Sequence, residues 1–210
     1  MASKLEVYNA VLVDHLGERR LASLTENREP RRVLDDIWTN GVTYCLEAAL
    51  WNFAMRAVEV ESSPSIDPTF GFQYAFEKPD DWLRTASLSD NERFDPPLTC
   101  YRDETNYWWA DSDPLYVTYV SDDTDYGLDL SLWPESFVDY VTAHLARKAC
   151  KRITGNKTDA GELRKIEAQC KLSAVSRDAM NEAAKFRPLG TWVNARTAGG
   201  QYSGQRYRRA

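Results

Sequence analysis

Ala48-Ala49-Leu50-Trp51-Asn52-Phe53-Ala54-Met55-Arg56-Ala57-Val58-Glu59-Val60-Glu61 is the stretch that decides the fold class. Upstream of it, Val33, Ile37, Gly41, Tyr44 and Ala48 recur every three or four residues, and Leu34, Trp38, Cys45 and Ala49 broaden the stripe. That is the period of a helix with one buried face. From Trp51 the period shortens. Val58 and Val60 alternate with Glu59 and Glu61, as on a half-buried strand. The chain passes from helix to sheet here, and an α+β fold is expected.

Working back from that point, Ser3-Lys4-Leu5-Glu6 reads as a capping box opening a first helix, with Leu5, Tyr8, Leu12 and Leu16 at helical spacing. Gly17 is placed to end it in a left-handed conformation, and His15 reads as a capping or core histidine in its last turn. Pro30 suits the first turn of the next helix. Gly41 weakens that helix by about 1 kcal/mol relative to alanine, so a close helix crossing or a slight kink is expected there.

Working forward, Ser62–Pro68 reads as a loop, and Phe70, Phe72, Tyr74 and Phe76 place four aromatics on one face of an extended segment. Pro79-Asp80-Asp81 predicts a turn or short helix carrying Trp82, Leu83 and Arg84. Leu98–Arg102, Tyr107–Ala110 and Leu115–Val120 are further strand candidates. Asp111-Ser112-Asp113-Pro114 is a tight turn between the last two. One antiparallel sheet of three or four strands is the economical result. Pro134 starts a third helix with Phe137, Val141, Leu145 and Ala149 inside. Gly155-Asn156-Lys157-Thr158 turns it into a fourth, whose packing side is expected to carry Leu163, Ile166, Cys170, Ser173 and Val175 or Met180. Helices from residues 1–50 and 134–186 are thus expected to build one antiparallel bundle. Residues 51–133 form a β-rich insertion and 187–210 an extended basic tail.

Composition narrows the function classes. Hydrophobic residues are 43% of 210, enough for a real core, and no apolar run is long enough to span a bilayer. The polar start, Met1 to Glu6, is not expected to be a secretory signal. Cys45, Cys100, Cys150 and Cys170 are widely spaced with only His15 and His144 to join them, so no metal site is expected and buried reduced thiols are the plainer reading. No Gly-rich phosphate loop or nucleophile elbow is present, because Thr197-Ala198-Gly199-Gly200 lacks the lysine and helix such a loop needs. Asp80/Asp81, Asp103/Glu104, Asp111/Asp113 and Asp122/Asp123/Asp125 read as solvated turns. No catalytic or cofactor-binding residue is assigned. Tyr101, Tyr107, Trp108, Trp109, Tyr116 and Tyr119 could form a stacking platform, but Arg102 is the lone base in that stretch, which favours packing and subunit contacts.

The net charge of −6 is uneven. The tail holds Arg187, Arg196, Arg206, Arg208 and Arg209 with no acid, which is +5 and leaves −11 on the rest. Trp192, Tyr202 and Tyr207 interleave with those arginines. Three readings stand for this tail. It is a disordered terminus, a segment that orders by docking aromatic and arginine anchors on an acidic partner, or a nucleic-acid-binding arm.

Four matched stretches carry a family resemblance. They are Tyr8–Gly17 with Ser23-Leu24-Thr25-Glu26, then Val33–Trp38 with Leu50–Ala54, then Phe72-Gln73-Tyr74-Ala75-Phe76-Glu77-Lys78-Pro79-Asp80-Asp81-Trp82-Leu83-Arg84, then Pro114–Tyr119 with the helix Glu135–Arg152. Their order resembles the tail tubular protein A family, the head-to-tail adaptors (gatekeepers or connectors) of short-tailed bacteriophages. The resemblance spans about Leu5 to Phe186, and the tail is less similar. It implies a non-enzymatic virion protein at the head-tail interface, made in the host cytoplasm and assembled as a dodecameric ring. Such a ring docks under the portal protein, receives the tail tube or nozzle, and lets genomic DNA pass during ejection without specific binding. It implies no cofactor and no membrane. Portal contacts would come from Arg187, Trp192, Arg196, Tyr202, Arg206, Tyr207, Arg208 and Arg209. Phe72, Tyr74, Trp82, Tyr107, Trp108 and Trp109 would make ring or tail contacts. The alternatives are a head-completion protein of a long-tailed phage, a small carbohydrate- or nucleotide-active enzyme using Asp103/Glu104, and a nucleic-acid-binding module.

Overall fold

A computed structural model describes residues 2–66, 68, 71–155 and 159–181. The fold is α+β, with helices α1 (Lys4–Ala10), α2 (Glu29–Glu47), α3 (Glu135–Ile153) and α4 (Asp159–Ala179). Six strands lie between α2 and α3: β1 (Met55–Val60), β2 (Tyr74–Glu77), β3 (Trp82–Ser89), β4 (Arg102–Asp103), β5 (Tyr107–Ala110) and β6 (Leu115–Ser121). The capping box forms: Ser3 Oγ accepts from the Glu6 amide at 3.3 Å and Glu6 accepts from the Ser3 amide at 2.8 Å. α1 then runs into a π-helical turn, Val11–His15, and Gly17 follows at φ +65.

The expected antiparallel bundle with one central β insertion is corrected. The strands make two antiparallel sheets of three, in the orders β1-β6-β3 and β2-β5-β4. β5 and β6 fall in different sheets, so Asp111–Pro114 hands the chain from one sheet to the other and closes no hairpin. The helices gather round α3, which packs on α1, α2 and α4. The helical core also takes in Trp51, Ala54 and Val120, with Met55 and Leu83 against it. β6 belongs to both halves: Leu115, Val117 and Tyr119 face a second core with Phe76, Leu88 and Trp108, while Val120 enters the helical one. Arg84 Nη1, on β3, donates to the carbonyl of Glu47 at the end of α2 (3.1 Å). Residues 51–133 are therefore continuous with the helices and do not form a separable insertion.

Other expectations change locally. The turn at Pro79 forms, with Trp82 N–H donating to its carbonyl (3.1 Å), but Trp82, Leu83 and Arg84 enter strand β3 and not a helix. Of Leu98–Arg102 only Arg102 pairs, in the two-residue β4. Pro96 and Pro97 have no amide to donate, and the Leu98 amide goes to Leu88 O (2.7 Å). Tyr74 and Phe76 share the inner face of β2, whereas Phe72 precedes the strand and Phe70 lies outside the described residues. On α4 the packing stripe is rotated from the expected one. Leu163, Glu167, Cys170, Ala174 and Asp178 face inward, while Ile166, Leu172, Val175 and Met180 are exposed. The two acids misled the apolar reading because each has a partner inside.

Two glycines are needed for close approach. A Cβ on Gly41 would sit 2.6 Å from Leu145 Cδ2, so the glycine serves a tight α2–α3 crossing. A Cβ on Gly127 would sit 2.2 Å from the backbone carbonyl of Ser121, which cannot swing aside. Gly127→Ala is expected to cost about 1–3 kcal/mol. Urea unfolding checks this, and an unchanged midpoint would show that the 127 loop can move.

Candidate functional site

Three polar constructions hold the fold's surfaces in place. The first joins the two sheets at Thr85. Its hydroxyl accepts from the indoles of Trp82 (3.1 Å) and Trp108 (2.9 Å) and donates to Asp103 Oδ2 (2.6 Å). One hydroxyl donor and two lone pairs are thereby used in full. Asp103 Oδ1 takes Lys78 Nζ at 2.5 Å, and that ammonium lies 3.4 Å from the centroid of the Trp82 ring. The lysine side chain is only 4% exposed, so the ion pair and the cation–π contact offset its desolvation. A cleft of about 620 Å³ opens beside Lys78, Trp82, Asp103 and Tyr107. Both oxygens of Asp103 are engaged, and Glu104 pairs with Arg102 at 3.2 Å. As arranged, Asp103 binds sheet to sheet, and Glu104 is held locally.

The second is centred on Asp81, which accepts from Arg56 (2.8 Å), Tyr119 (3.0 Å) and Ser121 (2.5 Å). Burial raises its pKa, but these donors outweigh that and hold it below the usual carboxylate value. The Tyr119 phenol is pushed far up by burial and by Asp81. Of the remaining paired acids Asp123 serves its own turn as expected, whereas Asp111 and Asp113 tie segments 38 and 51 residues away. Asp111 accepts the Gln73 amide, Asp113 the Ser62 amide and hydroxyl, and Asp123 the Asp125 amide. Among the described residues no group of three or more His, Cys, Asp and Glu could hold a metal ion.

The third fixes α4. His144 on α3 is 1% exposed, stacks on Tyr44 of α2 (4.6 Å between centroids), and meets Glu167 of α4 through Nδ1 at 2.7 Å. Arg147 Nε also donates to Glu167. Burial lowers the His144 pKa and Glu167 only partly restores it, so the imidazole is neutral at pH 7. Nδ1–H then donates to Glu167. At the far end of α4, the Asn52 amide donates to both carboxylate oxygens of Asp178 (3.0 and 3.3 Å). Asn52 Nδ2 donates to the Asp178 carbonyl (2.9 Å). Hydrogen bonds to a charged group contribute about 1.5–3 kcal/mol each. This clamp fixes the C-terminal turn of α4 against the segment that leads into β1.

The sequence-predicted contact residues divide. Trp108 is wholly buried and so spent within the fold, whereas Trp82 gives its indole N–H to Thr85 but stays half-buried beside the cleft. Phe72, Tyr74, Tyr107 and Trp109 are half-buried. Tyr107 and Trp109 lie on the face of β5 opposite Trp108, with ring centroids 5.9 Å apart. The proposed tail anchors, Arg187, Trp192, Arg196, Tyr202, Arg206, Tyr207, Arg208 and Arg209, lie outside the described residues. Thr85, Lys78, His144, Glu167, Asn52 and Asp178 were not singled out from sequence. The one available signal was that Glu167 and Asp178 fall on the inner side of α4, eleven residues apart and three helical turns along the same face. No helix among the described residues is long and apolar enough to cross a membrane. No protein-family model matches the chain, and no curated protein matches it either.

Two outcomes follow from this geometry. Thr85→Val strands two indole donors and one Asp103 oxygen, and is expected to cost about 2–4 kcal/mol in urea unfolding. A loss below about 0.5 kcal/mol would mean the junction is not structural. Below the free imidazole pKa of 6.5, folded His144 binds fewer protons than the unfolded chain. Stability should therefore be level above that pH and fall as pH drops through it. His15, also lowered by burial, adds the same sign. His144→Gln should flatten this slope in part, read from melting temperatures between about pH 7 and pH 5. An unchanged slope would assign it elsewhere.

Proposed function

We propose that this chain is a structural virion protein, a head-to-tail adaptor. In this role it docks under a portal, extends the DNA channel and receives the tail tube or nozzle. The observation that carries the reading is the segregation of charge along the chain. Residues 51–133 hold 17 Asp and Glu against five Lys and Arg, a net −12. Residues 134–210 hold 15 Lys and Arg against seven Asp and Glu, a net +8. A conduit for DNA needs a surface that repels phosphate, and the β half supplies such a field. An arm that seeks an acidic protein partner needs the opposite sign, and the arginines with Trp192, Tyr202 and Tyr207 supply that. The Asn52–Asp178 clamp supports the same reading, because it anchors the end of α4, which precedes the basic segment in sequence. The ordered resemblance from Leu5 to Phe186 supports it independently.

A catalytic reading of Asp103 and Glu104 is less well supported, since Lys78, Thr85 and Arg102 already occupy them. Membership of the virion and the ring of twelve belong to the proposal.

The test is a chain ending at Phe186. It should fold with a melting temperature near that of the full chain and fail to join DNA-filled heads that carry portal but lack this protein. Sedimentation of the heads reads the outcome. A truncated chain that joins heads as well as the full one would remove the tail from the docking role.

A further inference from the structure

α4 presents an outer face that the fold leaves unpartnered. Ala168, Leu172, Val175 and Ala179 follow one another at helical spacing on the side away from α3, and all four are exposed, Leu172 at 73%. Among the described residues of α4, Arg164, Lys165 and Lys171 border this stripe, and Glu162, also exposed, lies three residues before Lys165. Glu167 and Asp178 point inward and are engaged by Arg147, His144 and Asn52. Ala168 also lines a cleft of about 360 Å³ whose walls are Tyr44, Arg147, Arg164 and Lys171. Three cations there face one carboxylate, Glu167. The stripe and the cleft make one continuous surface, apolar along its length and basic at its edge. Such a surface suits an acidic partner that also has apolar groups to bury.

We infer that this face of α4 is covered by a second copy of the chain, through that copy's acidic β half. Charge decides the occupant. The net −12 of residues 51–133 is the complement of this face, and it is carried by every copy. A two-fold contact of α4 with itself would gather Arg164, Lys165 and Lys171 of both copies at one seam, six cations that the two copies of Glu162 do not balance. The contact is therefore head to tail, with α4 of one copy against the β half of the next. Repeated head-to-tail contacts close into a ring or run on as a filament. The inference names the surface by which the proposed adaptor would assemble, and it rests on that reading for closure into a ring. It does not depend on any portal or DNA.

The full-length chain alone tests it. Mass is measured by sedimentation velocity over a range of concentrations for the wild type, for Leu172→Asp and for Arg164→Glu/Lys171→Glu. Near-UV circular dichroism confirms that each is folded, and the charge-reversal pair decides if Leu172→Asp is not. The expected result is concentration-dependent assembly of the wild type, weakened about tenfold or more in both variants. Assembly of the variants equal to the wild type overturns the inference and places the contact on another face. A wild type that stays monomeric at its highest soluble concentration also overturns it, leaving α4 to a different partner or to residues 182–210. Failure here leaves the docking of the tail on heads untouched, and a chain that assembles through α4 but never joins heads sinks the adaptor reading alone.

Discussion

Seven consecutive residues of α3, Tyr140 to Ala146, are buried, so this helix has no solvent face at its middle. It meets α1 and α2 on one side and α4 on another. Small residues make this possible: Ala143, Ala146 and Ala149 let neighbours approach, and Gly41 opens α2 to Leu145. The aromatic side chains then run as a chain of contacts outward from α3. Phe137 meets Trp51 at 4.9 Å and Trp133 at 5.0 Å, Trp133 stacks on Trp38 at 6.3 Å, and Trp38 meets Tyr8 of α1 at 5.4 Å. Trp51 and Trp133 spend their indole N–H groups on the carbonyls of Cys45 and Gly127 (2.9 and 2.8 Å), so the rings are buried without orphaned donors. The helices are therefore held as a layer around one buried member, which fixes α1, α2 and α4 relative to one another.

Burying α3 on all sides has a cost at His144. An imidazole in that helix must give up its water, and it stays neutral with Nδ1 on Glu167. Glu167 in turn sits in the interior stripe of α4, where Arg147 keeps it ionised. With Asp178 clamped on Asn52, α4 is held at two places by charge-assisted hydrogen bonds, between them by Cys170 and Ala174, and before them by Leu163. Polar specificity replaces a broad apolar face here. That leaves Ile166, Leu172 and Val175 of α4 on its outside, where a helix docked by greasy contact alone would not place them.

Much of this was legible in the residues, and the misses have physical causes. Ser3 and Glu6 announce a cap because both partners are local, and the change of period at Trp51 announces the passage to strand. Alternation in Tyr107–Ala110 and Leu115–Ser121 locates two strands, but alternation says nothing about partners. A strand paired with Met55–Val60, 55 to 65 residues away, looks the same in sequence as one paired with its neighbour, so the split into two sheets could not be read. The stripe of α4 was misplaced by the rule that apolar residues face inward, which fails when a carboxylate has a buried partner on a distant element. Thr85 is the plainest case. A single threonine carries no pattern, yet it completes the hydrogen bonding of two tryptophans and an aspartate drawn from both sheets.

The seam at Thr85 and the acidity of the β half bear on each other. Seventeen carboxylates in 83 residues repel one another, and a sheet region with so few bases needs internal ties that do not depend on exposed ion pairs. Three of its five bases are engaged by the fold: Lys78 is buried between Asp103 and Trp82, Arg56 lies on Asp81, and Arg84 reaches the end of α2. Few are left to neutralise the outer surface, so the acidity is presented outward. The helical hairpin does the reverse, turning Glu167 and Asp178 inward and Arg164, Lys165 and Lys171 outward. The same pairing that stabilises each half thus sets the sign of its surface. Folding and assembly are linked through the charges the fold consumes: a substitution that released Lys78 or Glu167 from its internal partner would alter the outer field as well as the stability.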